Sequence, residues 1–127
     1  MPITHNIAIR VTRGGVAVVD TTFDKTDISE QGWDGVIGAT STDVPINLGT
    51  VTRAKIKSVV IVFDKDTTLK TNSISTPIET FAFKANVAMV WTNDMPEPCP
   101  FSVDIQEIYL TTGAAATTIK IFFLLSI

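Results

Sequence analysis

A single cysteine, Cys99, and a single histidine, His5, stand in the 127 residues of this chain. With one thiol no intrachain disulfide closes and no cysteine cage for zinc forms, so a hydrophobic core must hold the chain together. With one imidazole, any catalytic triad would have to be built around His5. That residue falls on the apolar side of an alternating segment, where an edge position or a hydrogen-bonded core position is expected instead. Charge is also scarce: 18% of residues are charged, and the 13 acidic and 10 basic ones, formal net charge −3, are scattered without runs. There is no basic stripe with aromatic platforms for a nucleic acid, and Arg53, Lys55 and Lys57 read as one solvated strand face. The apolar tail Ile119 to Ile127 is broken by Lys120 and too short for a bilayer, so no membrane partner is expected. Met1 to Arg10 lacks the pattern of a signal peptide, and a chain soluble where it is made is the expectation.

What the chain does have is apolar bulk. Hydrophobic residues make up 45% of it and the mean hydropathy is +0.30, a high load for a small soluble monomer. A chain of this length buries roughly two-thirds of its unfolded surface as one domain, so the expectation is apolar surface that meets another chain, the alternative being a well-filled sandwich core with no partner.

The spacing of that bulk has period 2. Ile3, His5, Ile7, Ile9 and Val11 alternate with Thr4, Asn6, Ala8 and Arg10, Gly14-Gly15 reads as a hairpin turn, and Val16 to Phe23 is rich in β-branched residues. Ile28, Trp33, Val36 and Ile37 lie in polar surroundings, and Asp34-Gly35 is a turn signal there. Strands are then predicted over Val44 to Val51, Ile56 to Phe63, Thr67 to Asn72, Ile78 to Lys84, Val87 to Trp91, Val103 to Leu110 and Thr117 to Leu125. The run Val59 to Val62 predicts a central strand buried on both faces. Near the end, Ile119, Ile121, Phe123 and Leu125 face one way and Phe122 and Leu124 the other, so both faces of the last strand should be covered, by the fold or by a partner. No helical period or internal repeat competes. The expectation is an all-β, single-domain β-sandwich of eight or nine strands over residues 1–127, a jelly roll first and a Greek-key or fibronectin-like arrangement second.

Chemistry is thinly represented. Asp64-x-Asp66 starts like a calcium loop but lacks the turn glycine and the distal bidentate glutamate, so a turn built on aspartates is expected and no metal. Gly14-Gly15 has neither a P-loop lysine nor a strand-to-helix setting, so no nucleotide cofactor is expected. Trp91 alternates with Met89 and Val87 and reads as core. Trp33, between Gly32 and Asp34-Gly35, reads as an exposed anchor in a loop.

From Ser58-Val59-Val60 through Asp64-Lys65-Asp66-Thr67-Thr68-Leu69-Lys70-Thr71-Asn72-Ser73 and Pro77, Ala85-Asn86 and Val90-Trp91, the chain has a recognisable texture. It continues in Pro100-Phe101, Val103-Asp104-Ile105, Ile108-Tyr109-Leu110-Thr111 and Gly113-Ala114-Ala115-Ala116 into Thr117-Thr118-Ile119-Lys120-Ile121. Over residues 40–127 this resembles small all-β proteins encoded among the virion structural genes of tailed bacteriophages. The resemblance implies a capsid decoration, cement or accessory protein without enzymatic activity, made in the host cytoplasm and carried on the virion. It also implies assembly with itself, often as a trimer, and binding to the major capsid protein or another virion component. Residues 1–40 would be the variable, partner-contacting part, with Trp33, Ile3, Ile7, Phe122 and Leu124 as candidate contact residues. A carbohydrate-binding or host-adhesion sandwich using Trp33 and nearby aspartates is the alternative.

Overall fold

A computed structural model describes residues 3–27 and 29–126, and the side chains of all of these except Val18 and Val19. Met1, Ile28 and Ile127, which enter the sequence reading, lie outside the described residues. The strands in chain order are β1 (Ile3–Arg13), β2 (Val16–Asp27), β3 (Ser29–Ile37), β4 (Val44–Ile46), β5 (Ile56–Phe63), β6 (Thr67–Thr71), β7 (Thr80–Phe83), β8 (Met89–Thr92), β9 (Ile108–Thr112) and β10 (Thr117–Leu125), with one 3-10 turn at Arg53–Lys55. They form three antiparallel sheets: a hairpin β1-β2, a sheet of order β3-β10-β5-β8, and a sheet of order β4-β9-β6-β7. The two four-stranded sheets pack face to face as a β-sandwich, and the hairpin is an arm laid on the outside of one of them.

The sandwich follows from the alternation. On β10, Thr117, Ile119, Ile121, Phe123 and Leu125 point into the core with Ile56, Val59, Ile61 and Phe63 from β5, and Leu69, Phe83, Ile108 and Leu110 come from the opposite sheet. Edge-to-face rings tie the two layers together. Phe63 of β5 meets Phe83 of β7 at 4.8 Å, and Phe101 sits between Phe81 and Phe123 at 5.6 and 5.5 Å. Aromatic pairs of this geometry add about 0.5–1.5 kcal/mol each beyond the area they bury.

Ten strands are present among the described residues, and the one absent from the sequence reading is β3. Asp34-Gly35 is not a turn; both residues lie inside β3, paired with Lys120 and Ile119. The glycines there make room for close packing. A Cβ on Gly32 would run into the Ile121 carbonyl oxygen, and one on Gly35 would meet the Trp33 ring at 2.9 Å. The local turn signal loses to a nine-residue antiparallel register that the rest of the segment satisfies.

Other boundaries shift for identifiable reasons. The strand expected from Val103 to Leu110 begins only at Ile108, because Asn72, at φ 66°, clasps the preceding loop. Its side chain donates to the Asp104 carbonyl at 3.0 Å and accepts from the Gln106 amide at 2.7 Å. Only an isolated bridge, Val51 to Ile105, remains of the pairing on either side of that loop. Pro45 sits on β4, which is three residues long and at a sheet edge, where its missing donor costs nothing.

Candidate interaction surface

The arm is amphipathic by register. Its one face carries Ile3, His5, Ile7, Ile9, Val11 and Arg13 from β1, opposite Lys25, Phe23, Thr21 and Val16 from β2; the other carries Thr4, Asn6, Ala8, Arg10 and Thr12 opposite Thr26, Asp24, Thr22, Asp20 and Ala17. The polar face is closed by cross-strand pairs, Thr4 with Thr26, Asn6 with Asp24 and Arg10 with Asp20. Gly14 and Gly15, both at positive φ, supply the two-residue turn that lets so tight a ribbon reverse.

The first half of the apolar face docks on the outer face of the sheet β3-β10-β5-β8. There the register places Glu30, Leu124, Ser58 and Thr92 in one row across the four strands and Gly32, Phe122, Val60 and Val90 in the next. His5 spans the first row. Its Nδ1 lies 2.6 Å from Ser58 Oγ and its Nε2 2.6 Å from Glu30 Oε2, so the ring crosses the strand that carries Leu124. Ile7 is buried beside it, and Leu124 and Ser58 have no exposed surface at all. At the far edge, Lys25 Nζ is 2.6 Å from Asp94, and Ile9 and Phe23 line a groove of ≈ 390 Å³ with Val90, Trp91 and Met95. Past that groove the apolar face of the arm opens to solvent: Ile9, which still lines the groove, is 41% exposed, and Val11 and Val16 are 49% and 66% exposed.

His5, Ser58 and Glu30 have the composition of a triad. With Nε2–H donating to Glu30, Nδ1 accepts the Ser58 hydroxyl proton, and every polar atom is satisfied. A nucleophile must meet its substrate, whereas Ser58 is fully buried beneath the arm. In this conformation the three residues act as a clamp that fixes the arm. The adjacent groove of ≈ 240 Å³, lined by His5, Ile7, Glu30, Val60 and Phe122, is a gap between arm and sheet.

The candidate contact residues separate accordingly. Ile3, Ile7, Phe122 and Leu124 all belong to the interface between arm and sheet, where Ile7 and Leu124 are buried within the chain and Ile3 and Phe122 half-buried. Trp33 is not in a loop. It lies on the inner face of β3, half-buried against the core, while Asp34 points to the outer face, so the ring and its neighbouring carboxylate do not share a surface. Trp91 is likewise half-buried against the core, its indole N–H donating to the Glu97 carbonyl at 2.8 Å. What sequence reasoning missed is that Ile9 and Val11 are the part of the arm's apolar face left exposed and that Glu30 is an anchor. The only signal was that β1 keeps its alternation for four residues past Ile7.

The remaining polar clusters are hydrogen-bonded within the fold. Asp64 accepts from the Thr118 amide at 2.7 Å and Asp66 from the Ala85 amide at 2.9 Å, as turn aspartates do. Arg53 and Lys55 lie in the 3-10 turn rather than on a strand face, and Arg53 Nε donates to the Phe101 carbonyl at 2.8 Å. A shallow groove of ≈ 620 Å³ beside it is lined by Asn72, Asp104 and Gln106, whose polar groups take part in the loop clasp and in the Asp104 bond to the Arg53 amide. Burial pushes the Cys99 thiol above its usual range, opposed by a backbone hydrogen bond from Phe101 and by Arg53, and reinforced by Glu79. Among the described residues no three His, Cys, Asp or Glu side chains converge on a metal position. Comparison with protein-family models, with curated proteins and with solved structures finds no match to this chain.

Proposed function

We propose that this chain is a virion structural protein of a tailed bacteriophage, a capsid decoration or accessory protein that acts by adhesion and not by catalysis. It is made in the host cytoplasm, assembles with itself, as a trimer by the resemblance already drawn, and binds the major capsid protein or another virion component. The observation that carries the reading is the arm: an amphipathic ribbon clamped at its base whose apolar face runs on, exposed, past the clamp. A ribbon that exposes Ile9, Val11 and Val16 to water is costly unless something covers them, and repeated contacts on a symmetric shell multiply a modest affinity per site.

A jelly roll is the topology this reading carries. Its support is the nesting of the pairs β3 with β10, β4 with β9, β5 with β8 and β6 with β7, as though one long hairpin had been wrapped across two sheets. That architecture is common in viral capsid and lectin domains. The test is co-sedimentation of the purified chain with assembled phage particles, together with its mass by light scattering. The reading expects an oligomer that pellets with particles; a monomer that stays in the supernatant refutes it.

A further inference from the structure

We propose that the distal half of the arm docks on a second copy of this chain, on the end of the outer sheet face that the chain's own arm leaves open. The inference rests on the reading of the chain as a self-assembling structural protein and names the surface that does the assembling. Two observations fit together.

The first is continuity. The arm face that is buried on its own sheet at His5 and Ile7 is the same face that emerges at Ile9, Val11, Arg13 and Val16, so the ribbon offers a neighbour a prolongation of an interface that already exists. The second is the acceptor. On the outer face of β3-β10-β5-β8 the arm covers the rows of Leu124 and Phe122, whereas the next two rows, Asp34 with Lys120 and Val62, then Val36 with Thr118, lie beyond it. Val36 is 64% exposed there, and its cross-strand partner Thr118 lines a groove of ≈ 240 Å³ with Val62, Asp64 and Lys120.

Charge orients the pair. Arg13 stands at the tip on the apolar face and Asp34 stands among the open rows with Lys120 as its cross-strand neighbour, and neither Arg13 nor Asp34 has an ion pair among the described residues. Arg13 of one copy on Asp34 of the next would place Val11 and Val16 against Val36 and Val62. Such a contact joins two different surfaces, so it is heterologous and closes into a ring when the rotation permits.

Light scattering across a dilution series, with circular dichroism to confirm folding, tests this on the intact chain. Arg13→Glu and Val11→Asp should each weaken self-association roughly 10-fold or more, and Arg13→Glu combined with Asp34→Arg should restore it. A monomeric parent chain overturns the inference, as does an oligomer indifferent to both single variants. Particle co-sedimentation separates this from the function: a monomer that pellets with particles and loses that ability in Val11→Asp places the shell, not a second copy, on the arm. An arm-dependent oligomer that ignores particles supports the inference and removes the virion reading.

Discussion

Leu124 owes its burial to the arm, and this can be measured. It sits on the outer face of β10, where a two-layer sandwich alone would leave it in water, yet it has no exposed surface because the His5 ring bridges from Ser58 to Glu30 across its strand. Leu124→Ala removes three carbons from a site that a light ribbon can partly collapse onto, so the loss should lie near the lower end for buried leucine, about 2–3 kcal/mol. His5→Ala leaves the buried Ser58 hydroxyl without its partner, at about 1–3 kcal/mol. If both losses act by loosening the same arm, the double variant should cost less than their sum, with a coupling of about 0.5–2 kcal/mol. Phe63→Ala supplies the contrast. Phe63 points into the core on the opposite face and should cost about 3–5 kcal/mol, additively with His5→Ala to within about 0.5 kcal/mol. Urea unfolding followed by tryptophan fluorescence reads all five variants. Additivity of Leu124→Ala with His5→Ala would refute the argument that the arm is what covers this face.

Other outcomes follow from the same geometry. Gly32→Ala should destabilise by about 1–3 kcal/mol in thermal unfolding, because its Cβ would meet the Ile121 carbonyl, while Gly113→Ala, with nothing near its Cβ, should stay within about 0.5 kcal/mol. Removing residues 122–127 takes Phe122 to Leu125 from β10, the strand that pairs with both β3 and β5, and should abolish soluble expression; a soluble oligomer from that chain would contradict the packing. Iodoacetamide should alkylate folded Cys99 more slowly than the unfolded chain at about pH 8.5, since burial favours the neutral thiol. In stability terms the folded thiol is raised above its unfolded value. Its contribution is therefore present below the ordinary thiol range and is lost as pH climbs through the folded value, which a denaturation series from neutral to alkaline pH checks in comparison with Cys99→Ser.

Period-2 alternation made much of the architecture legible. β5 and β10 announce themselves by buried β-branched and aromatic residues, Gly14-Gly15 by a glycine pair that suits a two-residue hairpin turn, and the sandwich by strand spacing. The apolar residues on both faces of β10 already required a cover for Phe122 and Leu124. What that cover would be was not legible, because His5 reaches Ser58 across 53 positions and Glu30 across 25, and no local pattern encodes such a meeting. β3 was missed for the opposite reason. Gly32, Asp34 and Gly35 carry turn chemistry, and the alternation of Gln31, Trp33, Gly35 and Ile37 that places them in a strand shows only once β10 lies alongside. Trp33 moved from a loop to the inner face of an edge strand as a direct consequence.

The most direct test of the account, that the arm is an adhesive element of a viral shell, is imaging at side-chain resolution of phage particles assembled in the presence of the chain. The account predicts the sandwich on the particle surface with Ile9, Val11 and Val16 covered by neighbouring protein. Particles that carry none of the chain, or a bound chain whose arm tip stands in solvent, would contradict it.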